Sequence, residues 1–447
     1  MDKNRMYALC EEIFPINRSL TGEGVRRTLE IIKRECPGLV IKSVPSGTRS
    51  FDWTVPKEWR CDDAYIITPE GEKIADFKER NINVLGYSTP VDRDFTLEEL
   101  KEHLYSLKDQ PDLVPYVTSY YKERFGWAIT HRQLESLKEG TYHGVIKSEL
   151  FDGVLNYAEL VIPGESTEEV FFTTYVCHPS MANNECSGPV VAAALIDYVR
   201  SLEKRRYTYR FVFAAETIGA ITYLSQKVDP SLLADEKDGY SGGELMTNLE
   251  YLKSHVIAGF NLSCVGDNND YSIIHSRYAD TLADRVLTRV LKYHTGGSFS
   301  DYSYLKRGSD ERQYQAPGVD IPLVGFCRSK YHEFPEYHTS ADDMDYVSPE
   351  GFEGSFAVMS ACIRALEKNH TYELTCLCEP QLGKRGLVPT ISSKETFRQT
   401  LHLKDLIAYS DGRNDLLTVS EIIDASPDEV IELTDKLLET GLLKRKD

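Results

Sequence analysis

The chain has no run of about 18 apolar residues, so no segment is expected to cross a membrane as a helix. Its first residues, Met1 to Met6, offer neither an apolar core nor a small-residue cleavage site, so no secretory signal is read there. Ten cysteines occur without the spacing of a disulfide framework. Several, such as Cys177, Cys264 and Cys327, lie in apolar strand-like runs. Free buried thiols in a cytoplasmic protein are therefore expected. Cys376 and Cys378 form one close pair, which alone makes no metal site. Basic residues are in deficit, with 51 Lys and Arg against 70 Asp and Glu, a net charge of −19. That balance opposes non-specific binding to nucleic acid or to an anionic membrane.

The chain is nonetheless long and apolar enough for substantial cores. Its 447 residues, 41% of them hydrophobic, predict two or three domains. The most informative stretch is Cys177 to Gly188, with His178, Asn184, Glu185 and Ser187. It follows a strand-like run, Glu169 to Val176, and precedes a helix-like run, Pro189 to Glu203. Further strand-like runs end at chemically equipped loops. Arg210 to Ala215 ends at Glu216, and His255 to Ser263 ends at Cys264. Ile321 to Phe326 comes shortly before Glu336 to Asp343, which holds His338. In open α/β sheets ligands bind outside the carboxyl ends of the strands. A His, a Glu and a second His just beyond successive strand ends suit hydrolytic metal chemistry.

The rest of the chain divides by pattern. Met1 to Cys36 reads as helical, and Thr96 to Leu107 as a short helix. Leu39 to about Asp94 has short runs broken by Pro and Gly turns, a β-rich signal. Residues 1–38 and 144–370 are read as an α/β core, with residues 39–143 as an inserted β-rich domain. Ser348 to Lys368 reads as a long closing helix. Residues 380–447 carry three helical patterns and a strand-like end, with Ser426 as helix cap and Pro427 at the first helical position. This order looks like a winged helix. Its second helix carries Asp428, Glu429, Glu432, Asp435 and Glu439 against one Lys436, so contact with DNA phosphates is disfavoured.

The order strand-His-x-Ser, then Asn-x-x-Ser-Gly, then Glu before x-Ile-Gly, then Tyr-His-Thr resembles the dizinc aminopeptidases. More closely, the whole chain resembles the bacterial aminopeptidase-like domain proteins often encoded among polysaccharide-biosynthesis genes. The matching stretches include Phe14 to Gly22, Phe51 to Pro56, Tyr116 to Tyr121, Glu216 to Gly219, Gly308 to Tyr314 and Pro335 to Ser340. The resemblance implies an α/β fold of the zinc-aminopeptidase type, a mixed sheet with helices on both faces. An inserted β-rich domain and a C-terminal winged helix complete it.

Carried over residue by residue, the resemblance places the first and last histidine ligands on His178 and His338, and the general base on Glu216. The bridging Asp falls on Asn184, the Glu ligand on Thr217 and the second Asp on Ser263. Three of five ligand positions are then neutral, and neutral oxygens hold a divalent cation poorly. One zinc rather than two is expected on His178 and His338. The third ligand is Glu216 or Glu185, with Asp310 and His332 as further candidates. Each has a plainer reading: Glu185 as a solvated charge, Asp310 as the partner of Arg312, His332 as a surface residue. Asp310, Arg312 and Tyr314 are expected to contact substrate.

The leading expectation is a zinc-dependent amide or peptide hydrolase acting on a small-molecule, sugar-linked or aminoacyl substrate. The alternative is a non-catalytic binding protein that keeps the peptidase fold. A DNA-binding regulator is disfavoured by charge. The terminal module is expected to serve packing or homo-oligomerisation.

Overall fold

A computed structural model describes residues 1–232, 245–387 and 394–446. Residues 1–279 and 300–356 form one compact unit, and residues 280–299 and 357–447 a second.

The first unit is built on an eight-stranded mixed sheet. Its strands are β1 (Val40–Pro45), β2 (Val154–Ile162), β3 (Glu169–Tyr175), β4 (Thr208–Ala214), β5 (Val256–Leu262), β6 (Ser272–Ile274), β7 (Ser300–Tyr302) and β8 (Leu323–Cys327). They lie in the order β1-β2-β4-β3-β5-β8-β6-β7. The central four, β4, β3, β5 and β8, are mutually parallel. Every residue of β3, β4 and β8 is buried, as expected for parallel strands covered on both faces. Helices α1 (Lys3–Ile13), α2 (Glu23–Glu35), α3 (Ser187–Ser201), α4 (Ile218–Ser225) and α5 (Asn248–His255) accompany the sheet. None of the described helices is long and apolar enough to cross a membrane.

The parallel strands carry a charge cluster at their amino-terminal half. Arg210 of β4 donates to both carboxylate oxygens of Glu169 on β3, at 2.7 and 2.8 Å, and to Glu159 of β2. Tyr223 donates to Glu159 at 2.6 Å and Tyr251 to Glu169 at 3.0 Å. Lys42 lies 3.4 Å from the other oxygen of Glu159. All four carboxylate oxygens are matched, which makes so deep a charge tolerable.

The insertion contains a four-stranded antiparallel sheet of Lys73–Ile74, Glu58–Ile67, Thr141–Phe151 and Val91–Thr96. Both expected boundaries move. Val40–Pro45 pairs with β2 and is an edge of the main sheet, so the insertion begins after Pro45 rather than at residue 39. Thr141–Phe151 pairs with Glu58–Ile67, so the insertion extends to Phe151 rather than stopping at 143. Alternating apolar residues state that a segment is a strand, not which sheet it joins. The helix expected over Thr96 to Leu107 is shorter, Leu97–Lys101, and opens on a capping box of Thr96 and Glu99.

In the second unit, a three-stranded sheet of Thr371–Leu374, Asp411–Asp415 and Leu443–Arg445 packs with three helices. These are Lys394–Tyr409, Leu416–Ile423 and Pro427–Glu439. Ser426 caps the last by accepting from Glu429 N–H, with Pro427 in its first turn. The unit starts earlier than residue 380, because Thr371–Leu374 is its central strand. It also takes in Leu282–His294 and the end of the helix Pro349–Lys368. Acidic residues of the winged-helix region meet bases there: Asp428 pairs with Arg364 at 3.0 Å, Asp435 with Lys368 at 3.2 Å and Asp424 with Lys292 at 2.7 Å.

Candidate active site

Because β3, β4, β5 and β8 run in one direction, the loops after them open on one edge of the sheet. His178 leaves β3, Glu216 leaves β4 and Ser263 leaves β5, while the segment after β8 returns with His338. The two histidine rings lie 5.3 Å apart between centroids. Glu216 Oε2 stands 4.0 Å from His178 Nε2, too far for a hydrogen bond.

His178 is fixed from behind. Its Nδ1 lies 2.9 Å from Glu185 Oε2, and its carbonyl accepts from Arg18 Nε at 2.9 Å. The other oxygen of Glu185 accepts from Cys177 N–H, and the Arg18 guanidinium sits 3.4 Å from it. Glu185 reaches this position from a π-helical turn, Ala182–Cys186, in which every residue is buried. Asp342 pins that turn by accepting from the N–H groups of Asn183 at 2.6 Å and Asn184 at 3.0 Å. Burial disfavours the charged His178 ring, but Glu185 and then Glu216 outweigh it, so its pKa lies above the ordinary value.

His338 is held differently. Its backbone has a φ of 56°. Its ring stacks on Tyr337 at 3.9 Å and meets the edge of Tyr116 at 5.1 Å. Its Nε2 is buried with no hydrogen-bond partner. Burial, and then the neighbouring His178, push its pKa well down, so the ring is neutral. Tyr116 belongs to the insertion, whose residues 110–116 pair with the His338 segment. Tyr116 N–H donates to the His338 carbonyl at 2.8 Å, Ser340 N–H to the Val114 carbonyl, and Gln110 to the Pro335 carbonyl.

Thr217 has the unusual dihedrals φ 63°, ψ −79°, a strained state for a β-branched residue. Two neighbours hold it. Its N–H donates to Asp310 Oδ1 at 2.7 Å, and its hydroxyl accepts from Arg312 at 2.5 Å. Asp310 Oδ2 is buried without a partner. Burial raises the pKa of Asp310 well above the carboxylate range, and the charge of Glu216 raises it further. Glu216 is raised too, by burial, with His178 and Arg312 opposing. Two carboxyl groups raised by a shared site titrate as a pair.

Several expected residues are differently employed. Glu185, expected as a metal ligand, uses its oxygens on His178 and Cys177. The ligand atoms of Cys177, His178 and Glu185 do lie within 4.8 Å of one another, but burial keeps the Cys177 thiol protonated. Tyr314, expected at the substrate, is a core residue. It is fully buried against Phe171 at 5.1 Å, with its hydroxyl near Thr173, so no substrate reaches it. Asp310 and Arg312 meet through Thr217 rather than as an ion pair. His332 is exposed, with its ring against Tyr337. Ser263 and Asn184 are both tied to the Tyr175 hydroxyl, at 2.6 and 2.7 Å, leaving Asn184 Oδ1 buried and unpartnered. Tyr116, Tyr175 and Arg18 also border His178, although nothing local in their segments marks them as neighbours of a histidine.

An edge of parallel strands that delivers two histidines and a glutamate is the arrangement of an aminopeptidase-like α/β protein. A zinc aminopeptidase from Bacillus subtilis shares the fold, with a TM-score of 0.56 and 11% identity, over 82% of this chain and 95% of that one. A family model for a domain of unknown function, DUF4910, matches residues 7–235 and 244–369, and a winged helix-turn-helix model matches residues 370–445. The chain belongs to that DUF4910 family. It is 40% identical over 417 residues to a Clostridium acetobutylicum protein named for polysaccharide biosynthesis and an aminopeptidase-like domain, covering 93% of this chain and 90% of the relative. A crystal structure of a C. acetobutylicum protein titled as a peptidase aligns with a TM-score of 0.88 and 38% identity, over 99% of this chain and 96% of that one.

Proposed function

We propose that the chain is an amide-bond hydrolase of aminopeptidase-like fold that works with one zinc ion, on a sugar-linked or aminoacyl substrate. The observation that carries this reading is the unpartnered, buried Nε2 of a neutral His338 beside His178. A buried nitrogen lone pair without a donor is costly unless something occupies it. The donor set fits zinc: two imidazole nitrogens, of which His178 would give up its Nε2 proton to the ion, and a carboxylate make a common three-ligand catalytic set. His178 Nε2 and His338 Nε2 would hold the ion, with Glu216 or Asp310 as the oxygen ligand. When bound, the ion supplies Lewis acidity and a water that deprotonates near neutral pH.

The chain's own groups do the rest. Glu185 acts on Nδ1 of His178, orienting the ring and fixing its tautomer from outside the ligand set. Whichever of Glu216 and Asp310 does not hold the ion would, as the carboxylate, accept the proton of the attacking water and later return it to the leaving amine. Tyr116 closes the histidines from the insertion side and excludes water from their outer faces. The sugar-linked substrate rests on the name of the C. acetobutylicum relative.

The test is metal content. Protein purified without chelator should carry about one zinc per chain by elemental analysis. His178→Ala and His338→Ala should each remove most of it while thermal unfolding stays within a few degrees. Unchanged stoichiometry in both variants would refute the reading.

A further inference from the structure

Arg312 is placed beside the reacting groups but is not neutralised by them. Among the described residues it makes one hydrogen bond, to the Thr217 hydroxyl, and no ion pair. Its Nε–H is buried with no acceptor. Its charge is felt by Glu216 and Asp310, and by Tyr121 and Tyr337. Nε is closed off, but Arg312 is only half-buried and its second terminal nitrogen makes no bond among the described residues, so that end of the guanidinium is left for an oxyanion.

A wall of aromatic rings runs from the histidines out to solvent. Tyr116 meets His178 at 5.2 Å, and its hydroxyl bonds Tyr120 at 2.6 Å. Tyr120 meets Tyr121 at 6.3 Å, and Tyr121 meets Trp53 edge-on at 5.4 Å. Tyr121 is 66% exposed, so the outer end of the wall is open to a ligand. All four rings come from the insertion, whereas Arg312 comes from the core.

We propose that this arrangement selects a substrate carrying a carboxylate close to the scissile amide, read by Arg312, with its apolar ring or face packed on Tyr121 and Trp53. This rests on the hydrolase reading but concerns recognition alone. A planar carboxylate suits the fork of the guanidinium, and ring faces suit the wall.

The test uses a matched pair, hippurate and its uncharged amide hippuramide, which differ only in the carboxylate. Calorimetry on the full chain should show hippurate binding at least about tenfold more tightly. Arg312→Gln should reduce that ratio to within about twofold, and Arg312→Lys should leave it between the two. Tyr121→Ala should weaken both probes alike. Equal binding of the pair by the native chain, no binding of either, or a ratio preserved in Arg312→Gln would each overturn the proposal. Displacement of hippurate by equimolar inorganic phosphate would overturn the carboxylate assignment in favour of a phosphorylated substrate. If Arg312→Gln does not fold, the native ratio and Arg312→Lys still decide. Because the readout is binding, failure here leaves the zinc measurement standing, and failure of the zinc measurement leaves this one readable.

Discussion

Strands β3 and β4 each carry buried charge at both ends, and the two ends are built in opposite ways. At the start of β3 and within β4, Glu169 and Arg210 join Glu159, Tyr223, Tyr251 and Lys42 in a cluster where every carboxylate oxygen has a donor. Just past the other ends, His178 and Glu216 join His338, Asp310 and Arg312. There Nε2 of His338, Oδ2 of Asp310 and Nε of Arg312 are buried without partners. The first cluster is closed, and its groups can only hold each other. The second keeps donors and acceptors unused, at a cost that packing elsewhere must offset. On one pair of strands, satisfied polarity therefore marks architecture and unsatisfied polarity marks a place for something from outside.

The comparison breaks most visibly at the closed end. Arg210→Met leaves Glu159 and Glu169 buried without their shared cation, and should destabilise the fold by about 3–5 kcal/mol in urea unfolding. Arg210, with Tyr223 and Lys42, outweighs burial and holds the Glu159 pKa below the ordinary value. That contribution is complete above the unfolded carboxylate pKa and is lost as pH falls through the lower folded value. The variant should consequently lose the corresponding acid limb. Retention of native stability at neutral pH would show that the cluster is no closed unit.

A second test lies at the open end, where Asp342 pins the turn bearing Glu185. Burial raises its pKa to about 7, against two backbone N–H groups that lower it. The folded chain thus keeps a proton that the unfolded chain loses near pH 4, so stability should fall as pH rises from about 4 to about 7. Asp342→Asn should flatten that slope, by on the order of 4 kcal/mol across the window. The urea midpoint at pH 5 and pH 7.5 measures it, and an unchanged slope would remove Asp342 as its source.

The smallest expected effect sharpens the role of Glu185. Glu185→Gln keeps its shape but weakens the orientation of His178, so zinc affinity should drop by about 10- to 100-fold without loss of the second histidine's contribution. Competition with a chromogenic chelator reads this. Complete loss of metal would instead make Glu185 a ligand.

Much of the sheet was legible because buried parallel strands write themselves as short apolar runs. β3, β4 and β8 fall within a residue or two of their expected places, and His178, Glu216 and His338 stand at one edge as their order suggests. What the pattern could not carry was partnership. Arg210 reads as a polar residue opening a strand, because its two glutamates lie about 40 and 50 residues upstream. Tyr314 reads as a site residue because its neighbours Asp310 and Arg312 are, yet one helical turn swings it into the core. Val40–Pro45 and residues 144–151 fall on the wrong side of the expected boundaries because strand periodicity is the same on either side of a domain boundary. The family motifs located the loops, and only packing revealed that Tyr175 ties Asn184 to Ser263.

The pairing of residues 110–116 with the His338 segment has a consequence for how the molecule comes into being. During synthesis the insertion emerges more than 200 residues ahead of the histidine it will hold, so one half of the clasp exists well before the other. Contacts of such sequence separation form late in folding, since the entropy of closing the loop is lost before the contact rewards it. The core sheet can assemble up to β5 while the pocket is still incomplete. Competence to act on a substrate therefore arrives close to the end of folding, as a property of a nearly finished molecule.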